Sequence, residues 1–306
     1  MNNLLRPTAF SPLRRRNFLT FVSGCILAAV FVLTPVRLLA QQQIWVKILR
    51  NGVISQIELE NYVCGVIAGE ISPSWPPEAL KTMAVCARTF ALNKVVSKLN
   101  NSYHITSSFL DQVYYEDSGR WASIRNAVAE TKGEVLTYNG ELAQVFFCAS
   151  SGGCTASSFS VWGKDFPYLQ AVPDPYSVRA EKYSSWSLVL NAADFLKILN
   201  LPGKLQAVSV VSRDESNRVG NLKISAGSRE YFFTGKRLRE TIGFDKILST
   251  LFDVEYSAGR VTFSGQGWGH GVGLSQWGTK KMAEEGLRYE QILAFYFPGT
   301  VLGVIQ

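Results

Sequence analysis

Ile44-Trp-Val-Lys-Ile-Leu49, Asn51-Gly52, Val53-Ile-Ser-Gln-Ile-Glu58 and Leu59-Glu-Asn-Tyr-Val-Cys-Gly-Val-Ile-Ala-Gly-Glu70 form one almost unbroken stretch, and its change of period sets the fold class. The segments on either side of Asn51-Gly52 alternate as strands do, and the Asn-Gly pair suits the positive φ angles of a tight hairpin turn. From Leu59 onward the spacing is helical, with Leu59, Tyr62, Val63, Val66 and Ile67 on one stripe and Glu70 at the helix end. Pro73-Ser-Trp-Pro-Pro77 makes a rigid corner, after which Pro77-Glu78 opens a second helix. Leu80, Met83, Ala84, Ala87 and Ala91 recur along it at three- and four-residue steps. The two helices therefore meet at a stiff elbow beside Glu70.

Further along, Gly133–Tyr138 and Leu142–Phe147 read as strands joined by the Asn139-Gly140 turn. The texture changes at Asp174-Pro-Tyr176. Asn191–Leu199 reads as a short helix, and Ala207–Ser212, Asn221–Ser225 and Glu230–Phe233 read as a small antiparallel meander. The expected architecture is α+β: a mixed core of helix and antiparallel sheet over 41–306, with a small β-rich subdomain inserted at about 180–255. The chain is expected to return at Arg260–Phe263 and to finish with helices over Thr279–Gly286 and Tyr289–Phe295. No internal repeat or low-complexity tract interrupts it.

Residues 1–40 hold Arg6, Arg14, Arg15, Arg16 and Arg37 and no acid, with an apolar run from Phe18 to Val36. This is the pattern of a signal sequence, with Leu38-Leu-Ala40 as the cleavage site. Arg15-Arg-Asn-Phe-Leu-Thr20 resembles the twin-arginine export motif, and the general secretory route fits the same basic segment. Residues 18–36 are nearly as long as the roughly 20 apolar residues that span a bilayer, so an uncleaved membrane tether is the alternative. Either way the protein is expected outside the inner membrane, in the periplasm or cell wall. The whole chain carries +7; beyond residue 40, 26 basic residues face 24 acidic ones, a balance of +2 with no basic cluster on a helix or face. That removes the support for nucleic-acid binding. Cys64, Cys86, Cys148 and Cys154 remain, an even number in an oxidising compartment.

The richest candidate for chemistry is Gly265-Gln-Gly-Trp-Gly-His-Gly-Val-Gly-Leu-Ser-Gln-Trp-Gly278, in which six glycines surround His270, one of the chain's two histidines. So many glycines predict a tightly turning loop that presents His270 rather than burying it. The loop lacks the Lys-Ser/Thr of a phosphate loop and the βαβ setting of a dinucleotide fingerprint. His104 and His270 alone cannot supply a His-Glu-x-x-His zinc site. No Gly-x-Ser-x-Gly elbow marks a serine nucleophile, and nothing local marks a cysteine as activated. Carboxylate acid/base chemistry is left. Glu70, between Gly69 and Ile71 at the Pro-Trp corner, is placed for partial desolvation, which raises a carboxyl pKa toward neutrality.

The stretch Leu59–Glu70, Ser74-Trp-Pro-Pro-Glu-Ala-Leu-Lys81 and Ala84-Val-Cys-Ala-Arg-Thr-Phe-Ala91 resemble the front half of the stage II sporulation protein D / LytB-like family. Asp111-Gln-Val-Tyr114, Ser150-Ser-Gly-Gly-Cys-Thr155 and Gly267–Gly278 match the same family in order, so that the resemblance covers about 44–300. It implies a cell-wall protein of one of two kinds. One is a lytic transglycosylase acting on peptidoglycan glycan strands without peptide stems, with Glu70 as catalytic acid. The other is a non-catalytic, glycan-binding modifier of a cell-wall amidase. It further implies that Arg88, Gln112, Tyr114, Ser151, His270, Ser275 and Gln276 bind substrate, with Arg88, His270 and Gln276 reaching sugar hydroxyls or the lactyl carboxylate. Some family members bind zinc near the Ser-Ser-Gly-Gly stretch. Here no histidine stands beside Cys148 and Cys154, so a disulfide or two free thiols is expected, with no metal and no cofactor. Trp162, Trp268 and Trp277 are candidates for stacking on sugar rings or for anchoring the core.

Overall fold

Glu58 closes the hairpin and starts the helix. In a computed structural model, which describes residues 43–108, 111–116 and 121–305, β1 (Trp45–Arg50) and β2 (Val53–Glu58) pair antiparallel, with Trp45 opposite Glu58 and Arg50 opposite Val53. Asn51 and Gly52 turn between them at φ 49° and 78°, the left-handed pair that a two-residue hairpin needs. The Glu58 carboxylate then accepts the Asn61 N–H at 3.0 Å and caps α1 (Leu59–Glu70). Residues 1–40, with the expected signal sequence or tether, lie outside the described residues. No helix among the described residues is long and apolar enough to cross a membrane.

The elbow leads into α2 (Pro77–Ser97), with Pro77 in its first turn, where the missing N–H costs nothing. This helix is the centre of the fold. Its Leu80, Met83, Ala84, Ala87 and Ala91 are all buried, as are Tyr62, Val63, Val66 and Ile67 of α1. Around it pack β3 (Ile105–Thr106), which extends the hairpin in the order β2-β1-β3, and α3 (Ala122–Glu130). The small sheet of β4 (Glu134–Tyr138) and β5 (Glu141–Leu142) completes that side.

The strand expected over Leu142–Phe147 is split. Only Glu141–Leu142 pairs with β4 across the Asn139-Gly140 turn; β6 (Phe147–Cys148) runs instead beside a strand far down the chain. Side chains satisfy the backbone between them: Tyr168 Oη accepts the Gln144 N–H at 2.8 Å, and Asn93 Nδ2 donates to the Ala143 carbonyl at 2.6 Å. Two short helices follow, α4 (Ser158–Trp162) and α5 (Pro175–Val178).

A second hydrophobic core gathers Phe195, Leu222, Ile224, Leu238, Val261 and Phe263. It is built from β7 (Trp186–Asn191), α6 (Ala192–Ile198), the meander β8 (Leu205–Arg213), β9 (Val219–Ala226) and β10 (Arg229–Thr234), α7 (Gly235–Ile242), β11 (Phe252–Ser257) and β12 (Arg260–Gly265). Strand order is β10-β9-β8 in one sheet and β11-β12-β7 in the other. The Arg260–Gly265 strand thus packs inside this core, between β11 and β7, and the chain leaves it only at the glycine loop.

After the loop, β13 (Leu274–Ser275) runs parallel to β6, α8 (Gln276–Glu284) and α9 (Tyr289–Tyr296) return to the first core, and β14 (Val301–Val304) pairs antiparallel with β4. The fold is the mixed α+β arrangement expected, with the first core drawing its buried residues from Val46 to Phe297.

Candidate active site

Glu70 is the last residue of α1, where the helix meets the Pro-Trp corner, and Gln276 is the first residue of α8. They are 206 positions apart, yet Gln276 Nε2 donates to Glu70 Oε2 at 3.0 Å. The other carboxylate oxygen accepts the Val113 N–H at 2.9 Å. Glu70 is half-buried, and that burial raises its pKa above the ordinary 4.5; the Val113 and Gln276 hydrogen bonds oppose the rise without cancelling it. The carboxyl therefore keeps its proton to a higher pH than an exposed glutamate does.

The position of Gln276 is built from the glycine loop. Gly273 turns at φ 73°, and a Cβ there would stand 2.3 Å from the Phe146 carbonyl, so only glycine brings β13 alongside β6. Ser275 then caps α8: its Oγ accepts the Gly278 N–H at 3.2 Å and the Ser151 N–H at 3.2 Å. Trp277, which follows Gln276 in the chain, belongs to a row of aromatic rings. Trp75 and Trp277 meet edge to face at 5.1 Å, Trp277 and Tyr183 at 6.2 Å, and Tyr183 and Trp268 at 4.7 Å.

Of the residues implied for substrate binding, Gln276 touches Glu70 directly and the others have different partners. Arg88 is fully buried and grips Glu60, Nε to Oε1 at 2.9 Å and Nη2 to Oε2 at 2.7 Å, so it is closed off from solvent. Gln112 is buried and accepts from the Tyr62 hydroxyl at 2.9 Å, and Tyr114 stacks on the Tyr62 ring at 5.6 Å. Ser151 is buried with Asp174 and Ser177, its Oγ donating to Asp174 Oδ2 at 2.6 Å. Ser275 is the buried helix cap just described.

His270 departs from the expected exposure. The loop folds it inward, half-buried, with its ring 5.1 Å from Trp162 and 6.5 Å from Phe146, and Nδ1 accepts the Val272 N–H at 3.0 Å. Burial first, then the charges of Arg218 and Arg239, pull its pKa down to about 4. An unfolded histidine takes up its proton near 6.5, so as pH falls through the window from about 6.5 to about 4 the unfolded state binds more protons and the folded state loses stability. Thermal melts across that window should show the loss in wild type and a shallower one in His270→Asn. Some slope will persist, because burial also lowers the pKa of His104. Identical slopes would remove His270 as its source.

Cys148 and Cys154 are free thiols in the structure rather than a disulfide. Burial pushes the Cys148 thiol up to about 11 and raises Cys154 as well, so neither is a ready thiolate at neutral pH. Sequence reading passed over Val113, whose contribution is a backbone N–H with no side-chain signature. Nor does the sequence mark Tyr183, which lies in a segment without a motif.

Fold and site together describe a mixed α+β protein with a half-buried carboxylate at a helix end, held by a glutamine and a backbone N–H. A family model described as SpoIID, stage II sporulation protein, matches residues 50–138, and another, for a domain of unknown function (DUF8618), matches 179–273. Stage II sporulation protein D of Bacillus subtilis (strain 168) is 31% identical over 265 residues, covering 82% of this chain and 76% of that protein. The amidase enhancer of the same organism is 33% identical over 287 residues, 78% of this chain but 40% of its own length. An uncharacterized protein of Brachyspira hyodysenteriae is 31% identical over 252 residues, 81% of this chain and 67% of its own. The chain belongs to the stage II sporulation protein D family, a cell-wall-related family. Glu70 lies within the first matched segment, whereas Gln276 lies beyond both.

Proposed function

We propose that this protein is a peptidoglycan lytic transglycosylase acting on glycan strands free of peptide stems, with Glu70 as both acid and base. The observation that carries the reading is the half-buried Glu70 carboxyl, its pKa raised by burial and its two oxygens held by Gln276 and the Val113 N–H. Ordinary glycoside hydrolysis needs a second carboxylate as nucleophile or as base for water. Intramolecular attack needs only one. Protonated Glu70 gives its proton to the glycosidic oxygen as the bond from the muramic C1 breaks. The resulting carboxylate takes the proton from the C6 hydroxyl of the same sugar, whose oxygen closes on C1. Glu70 is thereby reprotonated, no water is consumed, and a 1,6-anhydromuramyl end results. Gln276 orients the carboxyl throughout, and the half-buried Trp277 indole is the candidate for stacking on a sugar ring. Incubating purified protein with peptide-free and stem-bearing strands should give anhydromuramyl ends, one water lighter than hydrolysis products, from the peptide-free strands first. Hydrolysed ends, or none, would sink the reading.

The relative named amidase enhancer supports a second reading, in which the same cleft holds glycan while a cell-wall amidase does the cutting. The outer surface of the second core is then the proposed amidase contact. Both readings place the protein beyond the inner membrane, with residues 1–40 as its export signal or tether.

A further inference from the structure

Four cations, Arg179, Lys182, Lys280 and Lys281, line the rim beside Trp277. Three are already neutralised: Arg179 pairs with Glu285 at 3.1 Å, Lys281 with Glu285 at 3.7 Å, and Lys280 with Glu181 and Glu284 at 3.0 Å each. Lys182 has no carboxylate partner among the described residues. Its ammonium stands 5.7 Å from the centre of the Trp277 ring, and the residue is exposed.

The backbone beside Lys182 is strained. Tyr183 sits at φ 64°, a left-handed conformation that a bulky side chain rarely enters, and its carbonyl accepts the Gly267 N–H at 2.8 Å. Its ring is fixed edge-on between Trp268 and Trp277. Such strain persists only where surrounding contacts over-determine it, and it collects at segments that meet ligands. Lys182, next to Tyr183 in the chain, stands over Trp277, as the carboxylate-paired Lys280 does at 5.1 Å, and the residue before Trp277, Gln276, holds Glu70.

We propose that Lys182 is a specificity-determining contact for a carboxylate of the glycan, namely the lactyl carboxylate of muramic acid that is free when the peptide stem is absent. The proposal rests on the cleft at Glu70 being where glycan lies, as argued above. A stem is joined to that carboxylate through an amide, which erases its charge, so a free cation at this point separates bare strands from substituted ones. An ammonium resting on an indole face keeps N–H groups for a carboxylate acceptor. Carboxylates farther along a stem are the other source of the same chemistry, and the test separates the two.

Binding is measured with purified protein carrying Glu70→Gln, which leaves strands intact, with and without Lys182→Gln or Lys182→Arg. Three preparations are compared: peptide-free strands, peptide-free strands whose lactyl carboxylates are converted to neutral amides, and stem-bearing strands. Peptide-free strands should bind roughly two- to fivefold more tightly than the amidated ones, the range of an exposed ion pair. Added salt should shrink the difference. Lys182→Gln should erase that preference and Lys182→Arg should keep it. An unchanged preference in Lys182→Gln, or a Lys182-dependent preference confined to stem-bearing strands, would overturn the assignment. Cleavage is not part of this readout. A wild type that binds with this preference but never cleaves would remove the transglycosylase and spare the Lys182 contact; cleavage with no Lys182-dependent preference would do the reverse.

Discussion

Glu70→Gln is expected to abolish strand cleavage and leave a folded protein. The amide keeps the size of the carboxyl, and its oxygen can still accept from Val113 or Gln276, the two donors that hold Glu70 at 2.9 and 3.0 Å. What it lacks is a transferable proton and a basic oxygen. A positioned acid or base contributes roughly 10²- to 10⁴-fold to a proton transfer, and here one group performs both transfers. The wild-type rate should fall as pH rises through the raised Glu70 value, because the protonated form begins the reaction. The stability sign runs the same way. Burial raises the folded-state pKa above 4.5, so the folded state binds its proton more tightly than the unfolded chain. That contribution is full below the unfolded value and is lost as pH rises through the folded one. At neutral pH Glu70→Gln should therefore melt no lower than wild type and should lack this part of the pH dependence. Melting curves at several pH values and mass spectrometry of products check both halves. Retained cleavage would reject Glu70 as the acid. Equal stimulation of an amidase by wild type and Glu70→Gln, with cleavage by neither, would favour the enhancer reading.

The helical half of the site was legible because its signals are local. The period change at Leu59, the proline corner and the position of Glu70 at a helix end all follow from short-range spacing, and the structure has them there. Partner choice was not legible in the same way. Arg88 has no carboxylate three or four residues away on its own helix, where Ala84, Val85, Ala91 and Leu92 stand, and its partner Glu60 lies 28 positions upstream, on the neighbouring helix. Nor does glycine content say which way a loop faces. The positive φ angles at Gly269, Gly271 and Gly273 were implied by composition, but they turn His270 toward Phe146 and Trp162 rather than toward solvent. Strand assignment failed where side chains took over the backbone's hydrogen bonds, at Ala143 and Gln144. Val113 contributes only its main-chain N–H, which any residue other than proline carries, so no residue pattern announces it.

Arg88→Ala is expected to destabilise the fold by about 3–5 kcal/mol, the range for removing one partner of a buried ion pair. Its guanidinium has no solvent exposure and, besides the two bonds to Glu60, donates from Nη1 to the Glu134 carbonyl at 3.0 Å and from Nη2 to the Val128 carbonyl at 3.4 Å. One side chain thus ties α1, α2, the end of α3 and the start of β4. Glu60 Oε1 also accepts the Gly133 N–H at 3.3 Å, so the alanine variant leaves a largely buried carboxylate with one weak donor, two carbonyls without theirs, and a cavity. Arg88→Lys should recover only part of the loss, because an ammonium cannot reproduce the two-pronged contact with both oxygens. Replacing the pair together, Arg88→Met with Glu60→Leu, should cost less than Arg88→Ala alone, since neither charge is then stranded. Denaturant titrations of wild type and the three variants decide the matter. If Arg88→Ala kept wild-type stability but lost cleavage, the structural account would fail, and the substrate-binding role implied by the family resemblance would take its place.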